Sequence, residues 1–192
     1  MGSSRIIAGL VLLSGLCCGS ALATEVVKSR DQASGLVSWE WQHAGVKVKL
    51  VQRLPDQTRA FFQARGFTSV EADRIARACI FQTIFRNEGQ APVDFDLDDW
   101  RLTHAGHRRS LWTRQRWAAF WRQRGTGQAQ RIALRWSLLP TRQHFEPGDY
   151  NWGMTSFGLP PGERFDLHLK IRVAGEPISG KIARIACATD HP

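Results

Sequence analysis

Residues 101–136 carry the most distinctive chemistry of the chain, because they hold nine arginines and no Asp, Glu or Lys. Interleaved with these arginines are the tryptophans Trp112, Trp117, Trp121 and Trp136. Arginine offers a planar fork of hydrogen-bond donors to carboxylates and phosphates, and it stacks on aromatic rings. This stretch, called the basic segment here, therefore predicts either a surface for an anionic partner or core tryptophans rimmed by solvated arginines.

If the basic segment binds a partner, its arginines would supply charge and forked hydrogen bonds, and its tryptophans would supply apolar contact. The residues expected to do so are Arg108, Arg109, Trp112, Arg114, Arg116, Trp121 and Arg122. An acidic envelope protein, an anionic membrane surface and an anionic glycan would each suit such a surface. Nucleic acid is not expected, because the chain begins like an exported protein.

A metal site is the alternative. His104 and His107 are three residues apart in a Gly-containing turn, and with Met154 they suggest a copper or zinc ligand set. The neighbouring Arg108 and Arg109 would repel a cation. The leading expectation is therefore no cofactor, and a metal-handling accessory protein is the competing hypothesis.

Three carboxylates alternate along one short stretch, at Asp94, Asp96 and Asp98. Alternation puts them on one face of a strand, where they could bind calcium or pair with arginines of a neighbouring strand. We favour the second interpretation, because the spacing lacks the glycine and spacer residues of a calcium-binding loop.

Catalytic motifs are missing from the sequence. It contains no G-x-S-x-G, no H-E-x-x-H and no phosphate-binding glycine loop. We therefore expect a non-catalytic binding or assembly protein. The aromatic and glycine-rich residues 145–162 leave open a ligand cleft, including that of an enzyme, or simple packing over one end of the core.

The N-terminus has the pattern of a secretory signal peptide over residues 1–23. Arg5 precedes an apolar run, and Ala21-Leu22-Ala23 matches the small-x-small cleavage pattern. We expect a periplasmic or secreted protein starting at Thr24, with no transmembrane helix after cleavage. Export leaves only Cys79 and Cys187, and an oxidising compartment favours a disulfide between them.

The length of 192 residues and the hydrophobic content of 43% suit a single globular domain. The formal charge is +9. We expect a polar lead over residues 24–44 and a mainly β domain over 45–192. A helical hairpin is predicted at 55–77, where a proline and a glycine punctuate short apolar stretches.

Alternating apolar residues predict six or seven antiparallel strands. One expected strand begins at Val46. The others cover 78–86, 93–102, 131–139, 164–173 and 180–188. Residues 113–124 would form one further short helix or two short strands. Short strands joined by turns favour a single antiparallel sandwich.

The run IFRNEGQAPVDFDLDDWRL, ending at residue 102, and LPPGERFDL at 159–167 carry a resemblance. The chain resembles the Ig-like β-sandwich domains of exported bacterial proteins in its strand–turn–strand pattern and its late Pro-Gly turn. The resemblance implies a fold and no catalytic residue, since that fold hosts many functions.

Overall fold

Residues 25–190 are described by a computed structural model. They form a mainly β protein with two antiparallel sheets and four helices. The predicted signal peptide, residues 1–23, and the predicted start at Thr24 lie outside the described residues.

The first sheet has five strands in the order β1-β2-β3-β4-β9. Their bounds are Glu25–Arg30 (β1), Val37–His43 (β2), Val46–Gln52 (β3), Ile80–Asn87 (β4) and Tyr150–Ser156 (β9). Burial alternates along β3, where Val46, Val48 and Leu50 face the core. This is the two-residue period that the sequence predicted.

The second sheet has the order β7-β6-β10-β5-β8, and β11 also pairs with β10. Its strands are Val93–Asp96 (β5), Arg101–His104 (β6), His107–Ser110 (β7), Arg142–Phe145 (β8), Arg164–Val173 (β10) and Glu176–Ala186 (β11). The long strand β10 organises this sheet, because β11, β5 and β6 all pair with it.

The main core lies between the sheets. Phe85 of β4 stacks on Phe145 of β8 and contacts Phe95 of β5, with ring centroids 4.8 Å apart in both pairs. Buried residues from both sheets form one continuous cluster with these rings. This arrangement is consistent with a β-sandwich.

The predicted disulfide between Cys79 and Cys187 is confirmed. Cys79 directly precedes β4 and Cys187 directly follows β11, so the bond ties the first sheet to the second. Both cysteines are buried.

The four helices are Pro55–Gln63 (α1), Ser69–Ala76 (α2), Arg114–Gln123 (α3) and Gln128–Ser137 (α4). They form a layer with its own core cluster, which includes Ile80 of β4 and Met154 of β9. The next residue of β4, Phe81, belongs to the main core. Successive strand residues point to opposite faces, so the helical layer covers the face of the first sheet that turns away from the second.

The N-terminus of α2 is capped by Thr68. The Thr68 side chain accepts a hydrogen bond from the backbone N–H of Glu71, whose carboxylate in turn accepts one from the Thr68 backbone. This reciprocal pair is a capping box, which satisfies two backbone donors that a helix end leaves free.

Three predicted elements are corrected. The lead at 24–44 contains β1 and β2, and β2 buries two tryptophans. The strand predicted at 131–139 is wrong, because most of this range forms helix α4. Of the alternating apolar residues that predicted a strand, only Leu134 is buried, while Ile132 and Trp136 are exposed. The single strand predicted at 93–102 is broken by a turn into β5 and β6.

Candidate functional site

The basic segment is divided among strands β6 and β7 and helices α3 and α4. Helix α3 turns one face inward, where Trp117 and Trp121 are 1% and 2% exposed. Its opposite face presents Arg116 and Arg122 to solvent. The spacing of four residues between the two tryptophans is the period that places them on the same side of a helix.

Trp121 was expected to contact a partner, and this expectation is wrong. Its ring lies against Phe67, with centroids 5.7 Å apart, and parallel to that of Trp117 at 5.9 Å. Trp121 therefore belongs to the core of the helical layer. The exposed tryptophan of the basic segment is Trp136, at the last turn of α4, with 76% of its surface accessible.

The arginines of the basic segment form no ion pairs with carboxylates of the described residues. Within residues 25–190, no carboxylate forms an ion pair with Arg101, Arg108, Arg109, Arg114, Arg116, Arg122, Arg124, Arg131 or Arg135.

Elsewhere in the described residues, ion pairs involve most of the lysines but few of the arginines. Four of the five lysines are paired with carboxylates, as are three arginines outside the basic segment. These are Lys47, Lys49, Lys170, Lys181, Arg59, Arg77 and Arg142. The basic segment therefore holds about half of the arginines that the described residues leave without an ion pair.

Arg114 has a structural role in addition to its charge. Its guanidinium donates hydrogen bonds to the carbonyl oxygen of Leu138, one of them with an N–O distance of 3.0 Å. Leu138 directly follows α4, so Arg114 joins the two helices. Burial, together with the like charge of Arg135, lowers the pKa of Arg114.

A groove opens beside α3, between α2 and the segment 158–161, with a volume of about 500 Å³. Trp112, Trp117 and the prolines of that segment supply its apolar lining, and Arg74 of α2 supplies an unpaired positive charge. Arg77 also lines the groove but pairs with Asp73, a carboxylate of the same lining. Outside the groove lining, the Arg116 guanidinium lies 4.5 Å from the centroid of the Trp112 ring. An apolar groove flanked by cations suits a ligand that combines a carboxylate with an apolar side chain.

Gly158 allows Trp112 to close one side of this groove. Its φ is +67°, which disfavours other residues, and a Cβ there would lie 2.3 Å from the Trp112 indole nitrogen. The glycine-rich loop predicted as either site or packing therefore lines the groove at Gly158 and also packs on the main core, where Phe157 is buried.

Arg108 and Arg109 lie on β7, an edge strand of the second sheet, paired with Thr103 and Leu102 of β6. Both are exposed. The structure therefore places these two predicted site residues on a sheet, and the other arginines predicted for the site on helix α3.

The three proposed metal ligands are not brought together. His104 and His107 face each other across the β6–β7 turn, and His104 Nε2 lies 2.7 Å from a carboxylate oxygen of Glu163. Met154 is buried on the first sheet, in the core cluster of the helical layer. Residues 25–190 contain no group of three or more His, Cys, Asp or Glu side chains that could hold a metal ion.

The acidic row of β5 meets cations on the neighbouring strand β8. Arg142 pairs with Asp96, and His144 Nδ1 lies 2.8 Å from an oxygen of Asp94. Asp98 belongs to the turn after β5 instead of to the strand, and an Arg142 nitrogen lies 3.7 Å from its carboxylate. Pairing with a neighbouring strand is thus what the structure shows for Asp94 and Asp96.

Glu71 connects α2 to the turn between α3 and α4. Its carboxylate accepts a hydrogen bond from the Thr126 hydroxyl at 2.6 Å, in addition to those from Thr68. The Thr126 hydrogen bond is the largest influence on the Glu71 pKa and lowers it. A group whose pKa is lowered by folding stabilises the protein above its unfolded pKa, about 4.3 for Glu.

We expect Glu71→Ala to lower the free energy of unfolding at pH 7 by about 1–2 kcal/mol, through loss of the capping box and of the Thr126 bond. This loss should shrink as the pH falls through the pKa of Glu71 in the folded protein, because the wild-type carboxylate is then protonated. Urea unfolding at pH 7 and pH 3 measures both values, with exposed Glu176→Ala as control. An equal loss at both pH values would contradict the role of the charge.

Sequence reasoning missed the contribution of α2 to this site. Arg74 is exposed, makes no ion pair among the described residues, and lies 5.9 Å from the Phe120 ring of α3. Val70, also on the groove, is 82% exposed. An exposed valine in the first turn of an otherwise amphipathic helix was the available signal.

Comparison of the chain with protein-family models, curated proteins and solved structures found no match. None of the helices between residues 25 and 190 is both long and apolar enough to cross a membrane.

Proposed function

We propose that the protein is an exported, non-catalytic binding protein that holds an acidic segment of an envelope protein on its helical layer. The segment would lie along the groove beside α3, with its carboxylates on Arg74 and Arg116. The observation that carries this proposal is the set of arginines without carboxylate partners beside an apolar groove.

An acidic protein segment suits the site better than a membrane surface. A helix that lies on a membrane turns its large apolar side chains outward into the lipid. Helix α3 instead buries Trp117 and Trp121 against its neighbours. A groove with an apolar lining favours an extended chain that inserts a side chain, as peptide-binding proteins do.

The proposal includes export of the protein from the cytoplasm. The signal-peptide pattern of residues 1–23 supports a periplasmic or secreted location, and a disulfide suits an oxidising compartment.

We also propose that the two sheets form an Ig-like sandwich in which α1 and α2 are the inserted helical hairpin. The two antiparallel sheets and the position of both helices between β3 and β4 support this.

Charge reversal on the groove tests the proposal. We expect Arg74→Glu with Arg116→Glu to weaken binding of a short fluorescein-labelled peptide of alternating Glu and Phe by at least about tenfold, or about 1.4 kcal/mol. Each substitution removes one attraction and adds one repulsion. Fluorescence anisotropy at low and high salt gives the affinities, and wild-type binding should weaken with salt because the charges are exposed.

The matched control reverses the same number of charges away from the groove, at Arg164 and Arg184. Both are exposed arginines of the second sheet, and neither makes an ion pair among the described residues. The control pair should change the affinity by less than about threefold, or about 0.7 kcal/mol. Equal losses in the two double variants would show that only net charge matters and that the groove is not the site.

A further inference from the structure

A small cavity lies between α3 and α4 and opens to solvent beside the exposed residues Ala118 and Arg135. It is separate from the proposed groove apart from the shared wall of Trp117. Its volume is about 20 Å³. That volume admits one particle about the size of a water molecule. The polar side chains that line it are Arg114, Trp117, Trp121, Arg131 and Arg135.

Every polar side chain of this lining is a hydrogen-bond donor. Guanidinium and indole groups carry N–H donors and have no acceptor. The remaining side chains of the lining, from Ala118, Leu134 and Leu138, are apolar. The Leu138 carbonyl oxygen, which Arg114 reaches, already accepts from two nitrogens of that guanidinium.

Two of these donors lack a partner. The indole nitrogens of Trp117 and Trp121 are buried and make no hydrogen bond, although both side chains are at least 98% buried. A buried N–H without an acceptor is costly, and such groups in native proteins usually have a bound partner. What both indoles lack is an acceptor.

The cavity is also positively charged. Arg114 and Arg135 lie close enough for each like charge to affect the other, and neither has a carboxylate partner among the described residues. Arg131, the third arginine, donates to the Thr126 carbonyl. A water molecule would leave this charge uncompensated and would have to donate two hydrogens of its own.

We propose that this cavity binds one small monovalent anion of chloride size, which joins α3 to α4. The anion accepts hydrogen bonds from the indole and guanidinium donors and compensates the charge of the paired arginines. The assignment does not depend on the proposed partner, because the ion lies between the helices and not on the groove surface.

Thermal unfolding in sodium chloride and in sodium gluconate at equal ionic strength tests this assignment. Gluconate is too large for the cavity, so the comparison holds general screening constant. We expect chloride to raise the wild-type Tm by about 2–5 °C in a saturable way, as for a ligand that binds only the folded state. Equal Tm values in the two salts would overturn the proposal.

Two variants test whether the response comes from the cavity between α3 and α4 or from the outward face of α3, since Arg135 and Arg122 are both exposed and only Arg135 lines the cavity. Arg135→Gln should abolish most of the chloride response, whereas Arg122→Gln, the same charge change on the exposed face of α3, should keep it. Trp121→Phe, which removes an indole N–H and keeps an aromatic ring, should also reduce the response. The proposal fails if Arg122→Gln loses the response as fully as Arg135→Gln, or if Trp121→Phe keeps it unchanged.

Discussion

Replacing Cys79 and Cys187 together by alanine should lower the free energy of unfolding by about 4 kcal/mol. The two cysteines are 108 positions apart, so their bond closes a loop that contains most of the described chain. Closing a long loop removes much of the entropy of the unfolded state. Alanine suits the test because both sites are buried and apolar.

Urea unfolding followed by circular dichroism measures this loss. Wild-type protein treated with a reductant should unfold at nearly the same urea concentration as the double variant, because both lack the same constraint. A loss below about 1 kcal/mol, the size of an ordinary point substitution, would contradict the account. It would mean that the two sheets are held together by their aromatic core alone.

The second large effect concerns the tryptophans of the basic segment. We expect Trp117→Ala to cost about 3–5 kcal/mol, because it leaves a cavity where an indole ring packs against Trp121, Phe120 and Trp112. The same substitution at Trp136, which is exposed, should cost less than about 0.5 kcal/mol. Denaturant unfolding of the two variants gives the comparison.

The pair of variants is matched in residue type, in substitution and in position within the same arginine-rich stretch. Similar costs at both positions would show that the helical layer is not packed as described. A large cost at Trp117 together with unchanged peptide binding by Trp136→Ala would agree with a site on the groove side of α3.

Much of the strand architecture could be predicted because each strand has one buried face. The alternation in β3 and β10 follows directly from that geometry. Helix α4 was not predicted, because its apolar residues Ile132, Leu134 and Trp136 alternate as they would in a strand. Only the tertiary contacts show that Leu134 and Leu138, four residues apart, are the pair that packs inward.

The site was harder to predict, because its residues are distant in sequence. The groove joins α2, the start of α3 and the loop at 158–161, which no local pattern connects. The basic segment could be recognised in the sequence from its amino-acid composition alone. Its division into a buried indole face and an exposed guanidinium face depends on which side of α3 meets Phe67 and Met154.

The account depends on arginines that carry charge without partners in the described chain. This is a costly arrangement only if nothing binds there, since exposed charges of one sign repel each other. An acidic partner would relieve that repulsion and would add to the stability of the helical layer through mass action. The arginines that stack on aromatic rings, such as Arg116 on Trp112, are already held in place for such a contact.

The most direct test is co-purification from envelope extract at low and at high salt, followed by mass spectrometry. The proteins compared are the wild type, the groove variant Arg74→Glu with Arg116→Glu, and the control variant Arg164→Glu with Arg184→Glu. We expect the wild type and the control to retain an acidic protein at low salt and to release it at high salt, while the groove variant retains none. Retention of the same protein by the groove variant would contradict the central claim.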